Sequence, residues 1–260
     1  MTLLIALAIL PGLAISYYIW WRDKHEREPH KYLIWCFVFG ILSTIPAYYL
    51  ETFGIYMGIV MGPDIVITFF FAVFVVGLSE ELCKFIFLRY YIYPKDEFCE
   101  PMDGIVYAVM VSMGFATCEN LLYVMQSFEV GGMDLAWNTA IKRMLISVPA
   151  HASFAVIMGY YVGIAKFAAT EEKRFSLLNT GLGASVVMHG LFDFFIMQQN
   201  FPSLAILTLG VFVVAVILSL RMIKTHVENS PHKVKERKMF VDSLYFKEEE
   251  EEEDDSSTTS

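Results

Sequence analysis

Long apolar runs constrain this 260-residue chain more than any other feature of its sequence. A hydrocarbon core about 30 Å thick requires roughly 20 apolar residues of helix, and seven stretches meet that length. They cover residues 3–21, 32–50, 65–91, 104–127, 144–168, 177–198 and 204–222. Because the backbone within lipid must satisfy its own hydrogen bonds, uninterrupted apolar runs form helices there. The sequence therefore predicts an all-α membrane protein, a polytopic bundle of about seven transmembrane helices.

Overall composition agrees with this class of protein. Hydrophobic residues make up 56% of the chain and charged residues 18%, below the roughly 25% charged residues of an average soluble domain. The net charge of −9 does not indicate an acidic binding surface, because eight acidic residues form one block at 248–255. The four cysteines show no paired spacing and predict neither a disulfide framework nor a zinc knuckle.

The distribution of lysine and arginine predicts the orientation in the membrane. Sixteen of the 19 basic residues fall in the segments 22–31, 89–95, 166–174 and 221–247, all on one side of the predicted bundle. Only Lys142 and Arg143 fall in the opposite loops. Since cytoplasmic loops are enriched in basic residues, we expect the N-terminus outside and the C-terminus in the cytoplasm. Residues 1–227 then form a transmembrane domain, and 228–260 an acidic, disordered cytoplasmic tail.

Ionisable side chains occur near the middle of four successive predicted helices. Each costs at least ~2.5 kcal/mol on membrane-insertion scales, so such groups are usually paired or functional. A rise of 1.5 Å per residue puts them at similar depths, and one shared polar site would keep them all away from lipid. The residues are Glu80, Glu81 and Lys84 in the third helix, Glu119 and Asn120 in the fourth, His151 in the fifth, and His189 and Asp193 in the sixth.

Several kinds of chemistry fit this pattern. Two imidazoles and a carboxylate from separate helices can form the first shell of a zinc ion and leave a position for water. A further glutamate can then act as general base, and a metal-free variant can activate water directly. Glu80 and Lys84 can instead be a buried ion pair, since residues four apart share a helix face. Spacing alone does not separate a hydrolase from a proton-coupled transporter or a non-catalytic scaffold.

Four motifs in order resemble those of the PrsW family of membrane proteases. Residues 80–84, Glu-Glu-Leu-Cys-Lys, resemble its Glu-Glu-x-x-Lys motif, and residues 103–107 with 114–120 resemble its second motif, Phe-Ala-x-x-Glu-Asn. His151 with Gly-Tyr-Tyr-Val-Gly at 159–163 resembles the third, and His-Gly-Leu-Phe-Asp-Phe at 189–194 the fourth. The resemblance covers about residues 75–200. In the related CAAX-processing and bacteriocin-processing proteases the second motif carries histidine where this chain has Glu119, so prenyl-protease activity is not implied.

The resemblance implies intramembrane proteolysis that depends on glutamate and histidine and on a metal, expected to be Zn²⁺. Catalytic roles would fall to Glu80, Glu81, Glu119, His151 and His189, with Glu119, His151 and His189 as metal ligands and Lys84, Asn120 and Asp193 in support. Either Glu80 or Glu81 would be the base, and Glu80 is favoured.

The expected partners are a membrane-anchored protein substrate and the lipid bilayer of a cell membrane, and no nucleic acid. In bacteria the resemblance points to site-1 cleavage of an anti-sigma factor. No partner is assigned to the tail. A proton- or ion-coupled transporter is the main alternative, although transporters often contain internal repeats and none is visible here.

Overall fold

The described residues of the computed structural model, 1–198 and 201–233, are helical and contain no β-strand, which confirms the predicted all-α class. Most of the predicted tail, from residue 234 onward, lies outside the described residues. The principal helices are α1 (Thr2–Arg22), α2 (His30–Tyr56), α3 (Ile65–Ile92), α4 (Pro101–Lys142), α5 (Val148–Lys166), α6 (Glu171–Met197) and α7 (Ile206–Glu228).

Six helices of the described part of the chain are long and apolar enough to cross a membrane, and one of them, Pro101–Lys166, turns back on itself. Gly132 has φ 68° and ψ −158°, a conformation that glycine adopts at little cost. Beyond it the chain reverses, so that Ser127 and Thr139 hydrogen-bond to each other at 2.8 Å. The segment predicted as a loop after residue 127 is therefore the tip of a helical hairpin. The number of crossings and the orientation of the termini remain predictions.

The first 17 residues of α4 form the centre of the bundle. All of residues 101–117 except Pro101 are buried, and α4 packs against α1, α2 and α5. The sequence accounts for this position, because apart from Asp103 the segment is apolar or small on every side, as expected of a helix surrounded by others. Glu119 and Asn120, two of the predicted site residues, follow shortly after this buried segment.

Glycines bring the backbones of α4 and its neighbours into direct contact. A Cβ atom on Gly114 would lie 1.9 Å from the carbonyl oxygen of Phe37 in α2. On the other side of α4, a Cβ on Gly104 would lie 2.4 Å from the carbonyl oxygen of Gly159 in α5. Small residues are common where membrane helices pack closely, because van der Waals contact drives their association.

We expect Gly114→Ala to lower the free energy of unfolding by about 1–3 kcal/mol, the usual cost of overpacking. The added methyl group would meet the backbone of α2, which cannot move aside as a flexible side chain can. The melting temperature in detergent would measure the effect. Gly183→Ala is the matched control, because a Cβ there meets nothing within 4 Å, and an equal loss in both variants would contradict the close contact.

Candidate active site

The predicted polar residues converge on one cavity of about 410 Å³ among α2 to α6. Glu80, Glu119, His151, His189 and Asp193 all line it. Their side chains come from α3, α4, α5 and α6, as the depth estimate from the sequence required. The four helices thus place their ionisable groups against each other, which keeps those groups out of lipid.

The ammonium of Lys84 lies at the centre of this cluster. It donates hydrogen bonds to Glu80 Oε2 at 3.2 Å and to Glu81 Oε1 at 2.7 Å. It also lies 3.3 Å from His151 Nδ1 and 4.1 Å from the centre of the Phe115 ring. All three charged side chains of the motif are at least 96% buried. Lys84 therefore links α3 to α4 and α5 and neutralises part of the charge of the two glutamates.

The two adjacent glutamates have different surroundings. Both oxygens of Glu81 are occupied, Oε1 by Lys84 and by His189 Nδ1 at 2.9 Å, and Oε2 by the hydroxyl of Ser185 at 2.6 Å. Glu80 lines the cavity, and its Oε2 lies 3.9 Å from His189 Nε2. Because a carboxylate on one ring nitrogen fixes the tautomer and orientation of a histidine, Glu81 directs His189 Nε2 toward Glu80 and Asp193. Asp193 Oδ2 is 3.3 Å from that nitrogen.

A second group forms around Glu119. Its Oε2 lies 2.9 Å from His151 Nε2 and 2.7 Å from an Arg143 nitrogen, at angles that give this buried oxygen no regular hydrogen bond. Arg143 also donates from Nε to Asn120 at 2.6 Å, and Asn120 donates to the carbonyl oxygen of Ala8 in α1 at 3.3 Å. Asn120 therefore fixes the arginine while it packs α4 against α1.

Irregular helical turns precede two of the site residues. The π-helical stretch Phe71–Gly77 ends three residues before Glu80, and Arg143–Ser147 ends four residues before His151. The second stretch borders Pro149, whose missing N–H and bulky ring disturb a regular helix, as the sequence led us to expect. Single π-helical turns are frequent at functional sites, because they re-aim side chains within a helix.

The structure thus brings together the residues singled out from the sequence, although their roles remain predictions. Ligand atoms of Glu80, Glu81, His151 and His189 all lie within 4.8 Å of one another. Glu119, predicted as a ligand, stands outside that set of four but contacts His151 directly.

Sequence reasoning missed three members of this site. Arg143 was assigned to an external loop, yet it reaches Glu119 because the hairpin of α4 continues as helix through that position. Glu51 lines the cavity from α2, beyond the predicted end of its span, and Ser185 supports Glu81. The sequence could have indicated Ser185, because it lies four residues before His189 and residues four apart share a helix face.

The residues present fit a bound metal ion. Two imidazoles and several carboxylates are the nitrogen and oxygen donors that zinc accepts, and structural support for His189 by Glu81 is the common outer-shell arrangement. The buried oxygen of Glu119 that makes no regular hydrogen bond is a suitable ligand atom next to His151.

In this all-helical membrane protein, glutamates and histidines from four helices thus line one cavity, an arrangement that suits a membrane-embedded hydrolase. A sequence model described as PrsW family intramembrane metalloprotease matches residues 28–220. The chain belongs to this family of multi-pass membrane proteases, and its substrate is a protein in the membrane.

Individual relatives agree with this assignment. The chain is 36% identical to Protease PrsW of Geobacillus kaustophilus over 197 residues. The aligned region covers 76% of this chain and 81% of the relative. It is 34% identical to Protease PrsW of Clostridioides difficile (75% and 80% covered) and 33% identical to Protease PrsW of Bacillus subtilis (74% and 81% covered). No solved structure matches significantly.

We expect Lys84→Met to cost about 3–5 kcal/mol of stability, because removing one partner leaves buried carboxylates uncompensated. Lys142→Met, at an exposed position on α4, is the matched control and should behave like the unmodified protein. Thermal unfolding in detergent compares the two variants. Equal melting temperatures would show that the ammonium is not needed to hold the carboxylates together.

Proposed function

We propose that this protein hydrolyses a peptide bond of a membrane-anchored protein at the cavity, with Glu80 activating the attacking water. The difference between the two adjacent glutamates carries this proposal. Glu80 faces the cavity, whereas every oxygen of Glu81 is already engaged by Lys84, His189 or Ser185. A general base must reach the water that it deprotonates, which favours Glu80.

The remaining residues orient and stabilise this base. Glu81 holds the imidazole of His189 so that Nε2 points into the cavity, and Asp193 lies on the same side. Lys84 keeps the paired carboxylates close to each other and to His151. Glu80 can then accept a proton from water and pass it to the leaving amine, which balances the hydrolysis.

The metal expected from the family is proposed to be zinc, held by His151 and His189 with Glu119 as the carboxylate ligand. A zinc ion lowers the pKa of its bound water to about 7 and polarises a carbonyl group. Arg143 would hold Glu119 in place beside His151, since it contacts that carboxylate at 2.7 Å and is itself fixed by Asn120.

The finer identity of the substrate rests on the family resemblance alone. An anti-sigma factor with a single transmembrane helix is the proposed substrate, and residues 1–227 are proposed as the transmembrane helical protease domain. The transporter alternative finds no support in the relatives, which are named as proteases.

We expect Glu80→Gln to lower the rate of cleavage by about 10²–10⁴-fold, the usual contribution of a general base. Glutamine retains the size and much of the hydrogen bonding of the side chain, so folding should be preserved. The assay uses purified protein in proteoliposomes with a library of single-span substrates that includes anti-sigma factors. Glu129→Gln is the control, because Glu129 is an exposed carboxylate on α4.

Two outcomes would count against this proposal. Undiminished cleavage by Glu80→Gln would remove Glu80 from the role of base. Ion flux through the proteoliposomes in the absence of any peptide cleavage would instead favour the transporter.

Metal content tests the proposed ligands separately. We expect His189→Ala to reduce the bound zinc by at least about tenfold, because even outer-shell changes weaken metal binding 10–100-fold. Elemental analysis of the purified protein measures the zinc, and His226→Ala is the control, since His226 packs against Tyr160 away from the cavity. An equal zinc content in all three proteins would contradict the proposed ligand set.

A further inference from the structure

A second group of buried acidic side chains lies at the start of α4. Asp23 and Glu28 belong to the connection between α1 and α2, Glu100 precedes α4, and Asp103 lies in its first turn. None of the four is more than 2% exposed. Asp103 and Glu119 are 16 residues apart on α4, which corresponds to about 24 Å along the helix. The acidic group is therefore separate from the active-site cavity.

Part of this group is accounted for by ordinary hydrogen bonds. Asp103 Oδ2 accepts from the backbone N–H groups of Cys99 and Glu100, at 2.7 and 2.8 Å. Glu28 Oε2 accepts from the hydroxyl of Tyr107, and Glu100 Oε2 accepts from Ser230. The Glu100 side chain also accepts from the backbone N–H of Asp103. For Glu28 and Asp103, the contacts named use only one oxygen of each carboxylate.

The other oxygens have no partner. Asp23 Oδ2, Glu28 Oε1 and Asp103 Oδ1 are buried and make no hydrogen bond. Carboxylates that are buried without partners are expensive, because nothing replaces the water that they lose. The carboxyl groups of Glu28 and Asp103 are close enough to share a proton, and a bound cation is the other way to satisfy these oxygens.

The electrostatic surroundings agree. Burial and the neighbouring carboxyl groups of Asp103 and Glu26 raise the pKa of Glu28 to about 10. Burial and the carboxyl groups of Asp103, Glu100 and Glu26 likewise raise the pKa of Asp23 to about 8. Burial raises the pKa of Glu100, and the hydroxyl of Ser230 with His232 and His25 offsets part of this rise. The group thus has an excess of acid, which either protons or a cation must neutralise.

We propose that Glu26, Glu28 and Asp103 bind a divalent cation of the oxygen-preferring class of Mn²⁺, Mg²⁺ and Ca²⁺, with Asp23 beside them. One carboxylate oxygen of each of the three lies within 4.8 Å of the others, a spacing that ligands about 2.4 Å from a common ion would have. An all-oxygen set suits these cations better than softer metals. The ion would tie the α1–α2 connection to the start of α4.

A softer set of ligands lies next to this site and must be distinguished from it. Cys99 Sγ is 3.3 Å from Glu26 and 3.8 Å from His232 Nε2, and thiolate with imidazole favours zinc. Cys99→Ser is therefore the matched control, because it alters the softer set and leaves all carboxylates in place.

The test measures Mn²⁺ bound to the full chain in detergent, by electron paramagnetic resonance and elemental analysis. His151→Ala/His189→Ala serves as the background, so that a metal in the active-site cavity does not contribute. We expect about one tightly bound Mn²⁺ per chain in this background and in its Cys99→Ser derivative. Glu28→Gln should weaken the binding by roughly tenfold or more.

The melting temperature of the unsubstituted protein provides a second measurement. A ligand that binds only the folded state raises the melting temperature, so Mn²⁺ or Ca²⁺ should raise that of EDTA-treated protein. Glu28→Gln should lose this rise while still melting cooperatively. The proposal is overturned if no Mn²⁺ is retained and divalent cations leave the melting temperature unchanged. In that case Glu28 and Asp103 share a proton instead of binding a cation. Loss of Mn²⁺ in Cys99→Ser but not in Glu28→Gln would also overturn it, in favour of the softer set.

Discussion

The arrangement of the site depends on the contacts that the Lys84 ammonium makes with neighbouring side chains. A lysine and two glutamates within five residues of one helix would be costly in lipid, and their mutual contacts make that position tolerable. The same ammonium approaches His151 on α5, and Glu81 continues the network to His189 on α6. The cost of a buried charge without a partner therefore couples the packing of these helices to the assembly of the cluster.

Close backbone contacts make this convergence sterically feasible. The glycines of α4 that meet α2 and α5 allow the central helix to approach both neighbours, which carry Glu51 and His151 into the same cavity. The hairpin at Gly132 then returns the chain so that Arg143 lies beside Glu119 and Asn120. The missing side chains of Gly104 and Gly114 and the backbone conformation of Gly132 thus help to determine which polar groups meet.

Two acidic regions lie on α4, and each is handled differently by its surroundings. Near the middle of the helix, Glu119 is paired with Arg143 and His151. At its beginning, Asp103 faces Glu28 and Glu26 without a comparable basic partner. The first region contains residues proposed for the activity of a metalloprotease family, whereas the unsatisfied oxygens of the second are the basis for the proposed cation site.

By itself the sequence determined the membrane class, the helical fold and the identity of the polar residues at the site. Apolar run length and the cost of a charge in lipid are properties of the local sequence, so Glu80, Glu119, His151 and His189 were identifiable without coordinates. Only the tertiary structure decided what these residues touch. Adjacent glutamates look alike in sequence, but Ser185 and His189 occupy Glu81 and leave Glu80 to the cavity. The contact between Arg143 and Glu119 likewise depends on the chain reversal after Gly132 and on the helix that follows it. The sequence did not reveal this contact, because hydrophobic periodicity does not show which helices pack against each other.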